Sequence, residues 1–96
     1  MTSNSGLPAL KIFKFTLRVV GDQRVVIPQP CTHLSVQFQF GNLCLWSLVA
    51  PEGEEAPKRV RIFGTGDPVT DVGGMQHIGT VQEQGGSLIW HVWIEP

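Results

Sequence analysis

A glycine-rich segment in the second half of the chain is the first stretch whose residue types could bind a ligand. It reads Gly64-Thr65-Gly66-Asp67 and follows directly on Phe63. Successive backbone N–H groups in such a turn can point at one anion, and the Thr65 hydroxyl adds a further donor. The phosphate loop of nucleotide hydrolases, Gly-x4-Gly-Lys-Ser/Thr before a helix, is absent. The alternative is that the glycines only permit backbone angles needed at a strand end.

Basic residues precede this segment on one face of a predicted strand. A side-chain period of two places Arg59, Arg61 and Phe63 on the same face. Two guanidinium groups beside an aromatic ring could hold a phosphate and stack a base. The alternative is a solvated face whose charges protect a sheet edge from aggregation. The candidate ligand-binding residues are Arg59, Arg61, Phe63, Gly64, Thr65, Gly66, Asp67 and His91.

The three histidines do not form a recognisable metal motif. His33, His77 and His91 fall on three different predicted elements. Neither a His-x3-His pair nor a Cys-x2-Cys pair occurs, and structural zinc sites normally carry such paired ligands. We therefore predict no metal site and no cofactor. A metal-dependent enzyme in which the histidines converge in space is the alternative.

Nucleophilic catalysis has little support from the sequence. The serines and cysteines lack the strand–turn–helix elbow or the local activating base that such enzymes place beside a nucleophile. Cys44 is flanked by leucines, and an apolar environment keeps a thiol unreactive. With only Cys31 besides it, we expect two reduced cysteines and no disulfide. The sequence therefore predicts a protein that binds and does not catalyse.

Two tryptophans are candidates for an interface. Trp90 follows the face of its strand that we assign to the core, whereas Trp46 and Trp93 lie on the opposite apolar faces of theirs. Aromatic surface of this kind is typical of self-association or partner sites. Packing of both indoles inside a closed sandwich is the alternative. We expect a homo-oligomer.

A central β-hairpin is predicted over 34–49. Residues alternate between apolar and polar over 34–40, so the side chains from Leu34 to Phe40 that share the apolar face should point into the core. Gly41-Asn42 should then form the two-residue turn of type II′. Residues 43–49 are apolar on both faces, which is typical of a strand covered on both sides.

The rest of the chain carries short strand patterns. Further strands are predicted over 9–20, 23–27, 59–63, 77–82 and 87–94, with loops over 50–58 and 69–76. No segment has the apolar period of about 3.6 residues that predicts a helix. The fold class that follows is all-β, namely an antiparallel sandwich or partly closed barrel of six to seven strands.

Length and composition exclude several classes of protein. The chain has 96 residues, enough for one domain, which we assign to 9–96 after a polar tail over 1–8. The net charge of −1 argues against binding to nucleic acid through a basic surface. No apolar run reaches the length of a membrane span, and no signal pattern begins the chain. We therefore expect a cytosolic protein.

Short motifs that occur in order over about residues 12–95 resemble a family of small phage and prophage proteins. The motifs are Val36-Gln37-Phe38-Gln39, Leu45-Trp46-Ser47-Leu48-Val49 with Pro51, Gly64-Thr65-Gly66-Asp67-Pro68, Ile78-Gly79-Thr80-Val81-Gln82 and His91-Val92-Trp93. Members often carry Ala in place of Ser47, Asp in place of Ala50 and His in place of Asp67. The last difference argues against a shared metal ligand or catalytic base at Asp67.

The resemblance implies a phage or prophage origin and supplies no reaction or ligand. We expect a phage-encoded binding protein in the host cytoplasm that counters host defence. It would sequester a nucleotide-like signal or block a host protein, without a membrane or nucleic acid as partner. A virion structural or assembly protein that acts through oligomerisation is the alternative from another class.

Overall fold

The computed structural model describes residues 9–96, apart from the side chain of Gln84, as two antiparallel β-sheets packed face to face. The strands are β1 Lys11–Leu17, β2 Asp22–Pro28, β3 Cys31–Gln39, β4 Asn42–Val49, β5 Glu55–Gly64, β6 Gln76–Glu83 and β7 Leu88–Ile94. One sheet has the order β1-β4-β3 and the other the order β2-β5-β7-β6. The predicted all-β antiparallel sandwich is confirmed, and the sheets do not close into a barrel.

Among the described residues, helical structure is limited to one 3₁₀ turn, Gln84–Gly86, directly before β7. Within residues 9–96, no helix has the length and hydrophobicity needed to cross a lipid bilayer. The tail predicted over 1–8 lies outside the described residues.

The core lies between the inner faces of the two sheets. Each strand contributes alternate residues, as the period of two requires. The buried apolar residues of this core are Leu17, Val36, Leu43, Leu45 and Val49 from the three-stranded sheet and Ile27, Val60, Ile62, Val81, Val92 and Ile94 from the four-stranded sheet. Burial of each such side chain contributes about 1.5–3 kcal/mol. Trp90 packs partly buried against this core, on the face that the sequence predicts.

The central hairpin forms, but its turn differs from the prediction by one residue. Gln39 pairs with Asn42, so the two loop residues are Phe40 and Gly41 and not Gly41 and Asn42. Both have positive φ, 52° and 81°, as in a type I′ turn rather than type II′. Phe40 therefore leaves the buried face on which we expected it, and its side chain is 94% exposed.

Leu34 is also wrongly predicted as a core residue. The pairing of β3 with β4 shifts between His33 and Ser35, which leaves Leu34 as the extra residue of a β-bulge. Its side chain is exposed, while the buried position passes to His33.

Three strand boundaries differ from the prediction by three residues or more. Strand β3 begins at Cys31 and not at residue 34. Strand β1 ends at Leu17 and not at residue 20, because the Gln23 side chain takes both backbone hydrogen bonds of Arg18. Gln23 Oε1 accepts from the Arg18 N–H at 3.0 Å, and Gln23 Nε2 donates to the Arg18 carbonyl at 2.6 Å. Strand β5 begins at Glu55, within the predicted loop. Pro57 is tolerated there because β7 pairs with β5 only from Val60 onward.

A buried histidine connects the two sheets. The Nε2 atom of His33 in β3 lies 2.9 Å from the carbonyl oxygen of Glu95, which follows β7, and its Nδ1 atom lies 2.8 Å from Ser47 Oγ in β4. A carbonyl only accepts, so Nε2 carries the hydrogen and donates it, and in the neutral ring Ser47 donates to Nδ1. Burial lowers the pKa of His33, an effect that the Glu95 hydrogen bond opposes and nearby Lys58 reinforces.

Stability should fall on acidification because of His33. Its folded-state pKa lies below its unfolded value of about 6.5, so the unfolded chain binds the proton more readily. The contribution of neutral His33 is fully present well above about pH 6.5 and is lost as the pH falls through that value toward the folded pKa, by at most about 1.4 kcal/mol per pH unit. Urea unfolding at several pH values measures this. His33→Gln should flatten the dependence of the free energy of unfolding on pH. His77→Gln, which removes an exposed imidazole, is the control and should leave that dependence in place. Equal slopes of unfolding free energy against pH for wild type and His33→Gln would contradict the prediction.

Gly53→Ala should destabilise the fold. An added Cβ would overlap the Gln29 carbonyl oxygen and lie 3.1 Å from the Ala50 carbonyl oxygen, and both are backbone atoms that cannot rotate away. We expect a loss of about 1–3 kcal/mol, measured by urea unfolding. Gly21→Ala is the matched control, because its Cβ meets nothing within 4 Å; a change within about 0.5 kcal/mol is expected there. Equal stability of the two variants would contradict the clash.

Candidate functional site

The outer face of the four-stranded sheet brings together residues from three strands. Arg61 in β5 pairs with Trp93 in β7, which pairs with His77 in β6. Two residues before Trp93 in β7, His91 pairs with Phe63 in β5 and with Thr80 in β6. Because paired residues point to the same side of a sheet, these two rows lie on one face, opposite to the core.

The 65–75 connection crosses this face. Strands β5 and β6 are both antiparallel to β7 and therefore run in the same direction, so the chain between them must pass over β7. It begins in a closed turn in which the Gly64 N–H donates to Asp67 Oδ2 at 2.9 Å and the Asp67 N–H donates to the Gly64 carbonyl at 3.1 Å. Further on, Asp71 Oδ2 lies 3.5 Å from Arg61 Nη1.

A pocket of about 390 Å³ lies between this connection and the sheet. Its lining consists of residues 64–67 and Val69 from the connection and of His77, His91 and Trp93 from the strands. The size is within the range of small-molecule sites, about 300–1,000 Å³. Val69 and the indole of Trp93 supply apolar surface, while the threonine, histidine and aspartate side chains supply polar groups.

Threonine hydroxyls hold the ring of His91 at both nitrogens. Thr65 Oγ1 lies 2.8 Å from His91 Nε2, and Thr80 Oγ1 lies 2.9 Å from His91 Nδ1. Thr80 also lies 3.4 Å from Nε2 of His77, whose ring contacts that of Trp93 at 5.0 Å between centroids. One of the two hydroxyls can donate to the bare ring nitrogen of His91 while the other accepts from its ring N–H, so a neutral imidazole satisfies both contacts.

The hydroxyl contacts of His91 differ from those of a catalytic histidine in a serine-hydrolase triad. In the serine-hydrolase triad a carboxylate bonds the second ring nitrogen and stabilises the imidazolium ion that forms during the reaction. At His91 the group in that place is the neutral hydroxyl of Thr80. The two threonine contacts therefore fix the orientation of the ring in the wall of the pocket.

The two predicted phosphate ligands lie outside the pocket lining. Arg59 forms a two-point ion pair with Asp22, with Nε 2.9 Å from Oδ1 and Nη2 3.2 Å from Oδ2. The pair lowers the pKa of Asp22 and raises the pKa of Arg59, chiefly through this hydrogen bond. Arg61 donates from Nε to the Gly21 carbonyl at 2.9 Å, and its guanidinium lies 4.9 Å from the ring centre of Phe63. Both cations thus contact groups of the chain itself, although Arg61 Nη1 is buried without a hydrogen-bond partner, 3.5 Å from Asp71 Oδ2.

The structure separates the two predicted interface tryptophans. Trp93 lines the pocket on the four-stranded sheet, whereas Trp46 lies half-buried on the outer face of the three-stranded sheet, between Lys14 and Ser35. They cannot contribute to one continuous surface, because the whole sandwich lies between them.

The histidines are divided in the same way. His33 is in the core, and only His77 and His91 are neighbours at the pocket. In the part of the chain that the structure describes, no three His, Cys, Asp or Glu side chains are placed to hold a metal ion.

Sequence reasoning missed Val69, His77 and Thr80 as site residues. His77 was considered only as a metal ligand, and Val69 and Thr80 carried no signal in the linear pattern. The bulge between His77 and Gly79 changes which residues of β6 share a face with His91. No alternation rule places that bulge, so these contacts follow only from the fold.

The match to a protein-family model covers residues 9–96, and the description of that family is Domain of unknown function (DUF7352). The chain belongs to this family. No curated protein and no solved structure matches the sequence.

Arg61→Ala should destabilise the protein more than Arg59→Ala. Arg61 is only 12% exposed, and its loss removes a guanidinium–ring contact and a hydrogen bond to Gly21, together worth about 1–2 kcal/mol. Arg59→Ala removes an exposed ion pair, so the expected loss in free energy of unfolding is much smaller. Urea unfolding measures the stability of the two variants. An equal or larger loss of stability in Arg59→Ala than in Arg61→Ala would contradict the prediction.

Proposed function

We propose that this member of the DUF7352 family is a non-enzymatic binding protein whose pocket takes a planar heterocycle of the nucleobase class. The observation that carries the proposal is the pocket of about 390 Å³ beneath the 65–75 connection, with Trp93 as its largest apolar side chain. A base or nucleoside is a ligand of suitable size for a site in this range.

Stacking supplies the affinity in this proposal. An indole offers a flat surface to any base, and contacts of this kind contribute about 1–3 kcal/mol per base. Trp93 is half-buried and contacts the ring of His77, which restricts its movement before a ligand arrives. A site that is already ordered loses less entropy on binding.

Neutral polar groups and one carboxylate supply the selectivity. The edge of a base presents N–H donors and nitrogen or oxygen acceptors. The ring nitrogens of His91 are already bonded to Thr65 and Thr80, so the remaining hydrogen-bonding capacity of the Thr65 hydroxyl is what can pair with that edge. Asp67 brings a negative charge to the lining, which favours donor-rich edges and opposes a phosphate. The phosphates of a nucleotide would therefore extend from the pocket into solvent, since Arg59 and Arg61 are already paired within the chain.

The biological role in this proposal follows from the resemblance to phage and prophage proteins. Inside an infected bacterium, a small cytoplasmic module of this kind would sequester a nucleotide-like signal and so counter host defence. Sequestration needs affinity and abundance but no chemistry, which agrees with the neutral partners of His91.

Trp93→Ala should abolish most ligand binding while Trp46→Ala should not. Thermal shift and calorimetry with free bases, nucleosides, nucleoside monophosphates and cyclic nucleotides would be compared on wild type and both variants. Ligand at 100 times Kd stabilises the fold by about 2.7 kcal/mol. Loss of stacking in Trp93→Ala should weaken binding by about 5- to 150-fold.

Trp46→Ala is the matched control, because it removes the same half-buried side chain from the opposite side of the sandwich. The absence of any shift with all four ligand classes would rule out the proposal. A gain in affinity of 100-fold or more from the phosphate alone would also contradict the proposal, since the pocket lining holds no lysine and no arginine.

A further inference from the structure

Phe40 is the residue of the described chain whose position is hardest to explain within one molecule. Its side chain is 94% exposed at the tip of the β3–β4 hairpin, so it gains almost nothing from burial. Its backbone has φ of 52°, a left-handed conformation that is unfavourable for a bulky side chain. Asn or Gly would satisfy this turn at a lower cost in free energy. An aromatic ring presented outward at such a cost is suited to insertion into another surface.

The pocket beside Trp93 has the properties that such a ring requires. It is concave, and most of the surface that it exposes is apolar. Its volume of about 390 Å³ exceeds the needs of one phenyl group. Trp93 and the two histidine rings could surround the phenyl group with aromatic contacts, which favour tilted or offset geometry.

Charges near the two features are opposite in sign. On the hairpin side, Lys14 Nζ donates to Gln39 Oε1 at 2.8 Å, which holds an ammonium group next to the residue that precedes Phe40. On the pocket side, Asp67 belongs to the lining and carries a negative charge, whereas the charge of Asp71 on the same connection is offset by Arg61 Nη1 at 3.5 Å. Complementary charges of this kind speed encounter and orient it. The hairpin tip of a second copy of the chain therefore brings a charge opposite to that of the pocket lining.

We propose that Phe40 of one copy inserts into the Trp93 pocket of a second copy, so that a residue from a neighbouring molecule completes the site. The contact joins two unlike surfaces, a hairpin tip and a pocket. It does not depend on the nucleobase function, but a base and the phenyl ring would compete for one space. Ligand binding would then dissociate the assembly, and dilution of the assembly would open the pocket.

Sedimentation velocity over a range of concentrations tests this proposal. Wild type should assemble, and Phe40→Asn should remain monomeric with an unchanged or higher melting temperature, because Asn tolerates positive φ. Trp93→Ala and the exposed-loop variant Val69→Asn should also be monomeric. Ile12→Thr, which replaces an exposed apolar residue on β1, is the control and should assemble like wild type.

Mixing the variants gives the decisive result. Phe40→Asn retains the pocket and Val69→Asn retains the hairpin tip, so an equimolar mixture rebuilds one intact contact and should form a dimer that neither variant forms alone. Wild type that stays monomeric, Phe40→Asn that assembles normally, or a mixture that stays monomeric would each overturn the proposal. Assembly without any response to bases would contradict only the nucleobase function, whereas base binding by a monomeric wild type would contradict only the Phe40 contact.

Discussion

Contact between the two apolar inner faces is the interaction on which the rest of the structure depends. A chain of 96 residues has material for one core, and here it lies between a three-stranded and a four-stranded sheet. The sheets approach so closely that a Cβ placed on Gly79 would lie 3.1 Å from a methyl group of Val36. His33 adds a polar tie across this layer, and its neutral form is part of the packing. Because burial is satisfied between the sheets, the outer faces are free to carry polar residues.

The candidate site lies on the outer face of the four-stranded sheet. Parallel directions of β5 and β6 force the 65–75 connection over β7, and the space beneath it becomes the pocket. Internal pairing then divides the side chains of this face into two groups. Arg59, Arg61 and Phe63 stabilise the sheet and its connection, while the turn, the histidines and Trp93 surround the cavity. The division separates cations from the pocket and gives it a neutral to acidic lining.

Much of this architecture could be predicted because alternation is a local property. The strands β2, β4, β6 and β7 agree with their predicted limits to within one residue at each end. The glycine turn at 64–67, His91 and Trp93 were also singled out by residue type, and the fold brings them together. Failures occur where one extra residue or one shifted turn changes the face. Phe40 and Leu34 were both expected in the core, and a type I′ turn and a β-bulge expose them.

By itself, the amino-acid sequence determined the all-β class, the positions of most strands and the residue types near the pocket. These follow from side-chain period and turn chemistry, which act over a few residues. Only the tertiary structure decided that Asp22 and Gly21 engage the two arginines and that Thr80 contacts both His77 and His91. It also decided that Trp46 and Trp93 lie on opposite sides. Such contacts depend on strand order and register between distant segments, and the free energy that selects them comes from the packing of the whole core rather than from any local pattern.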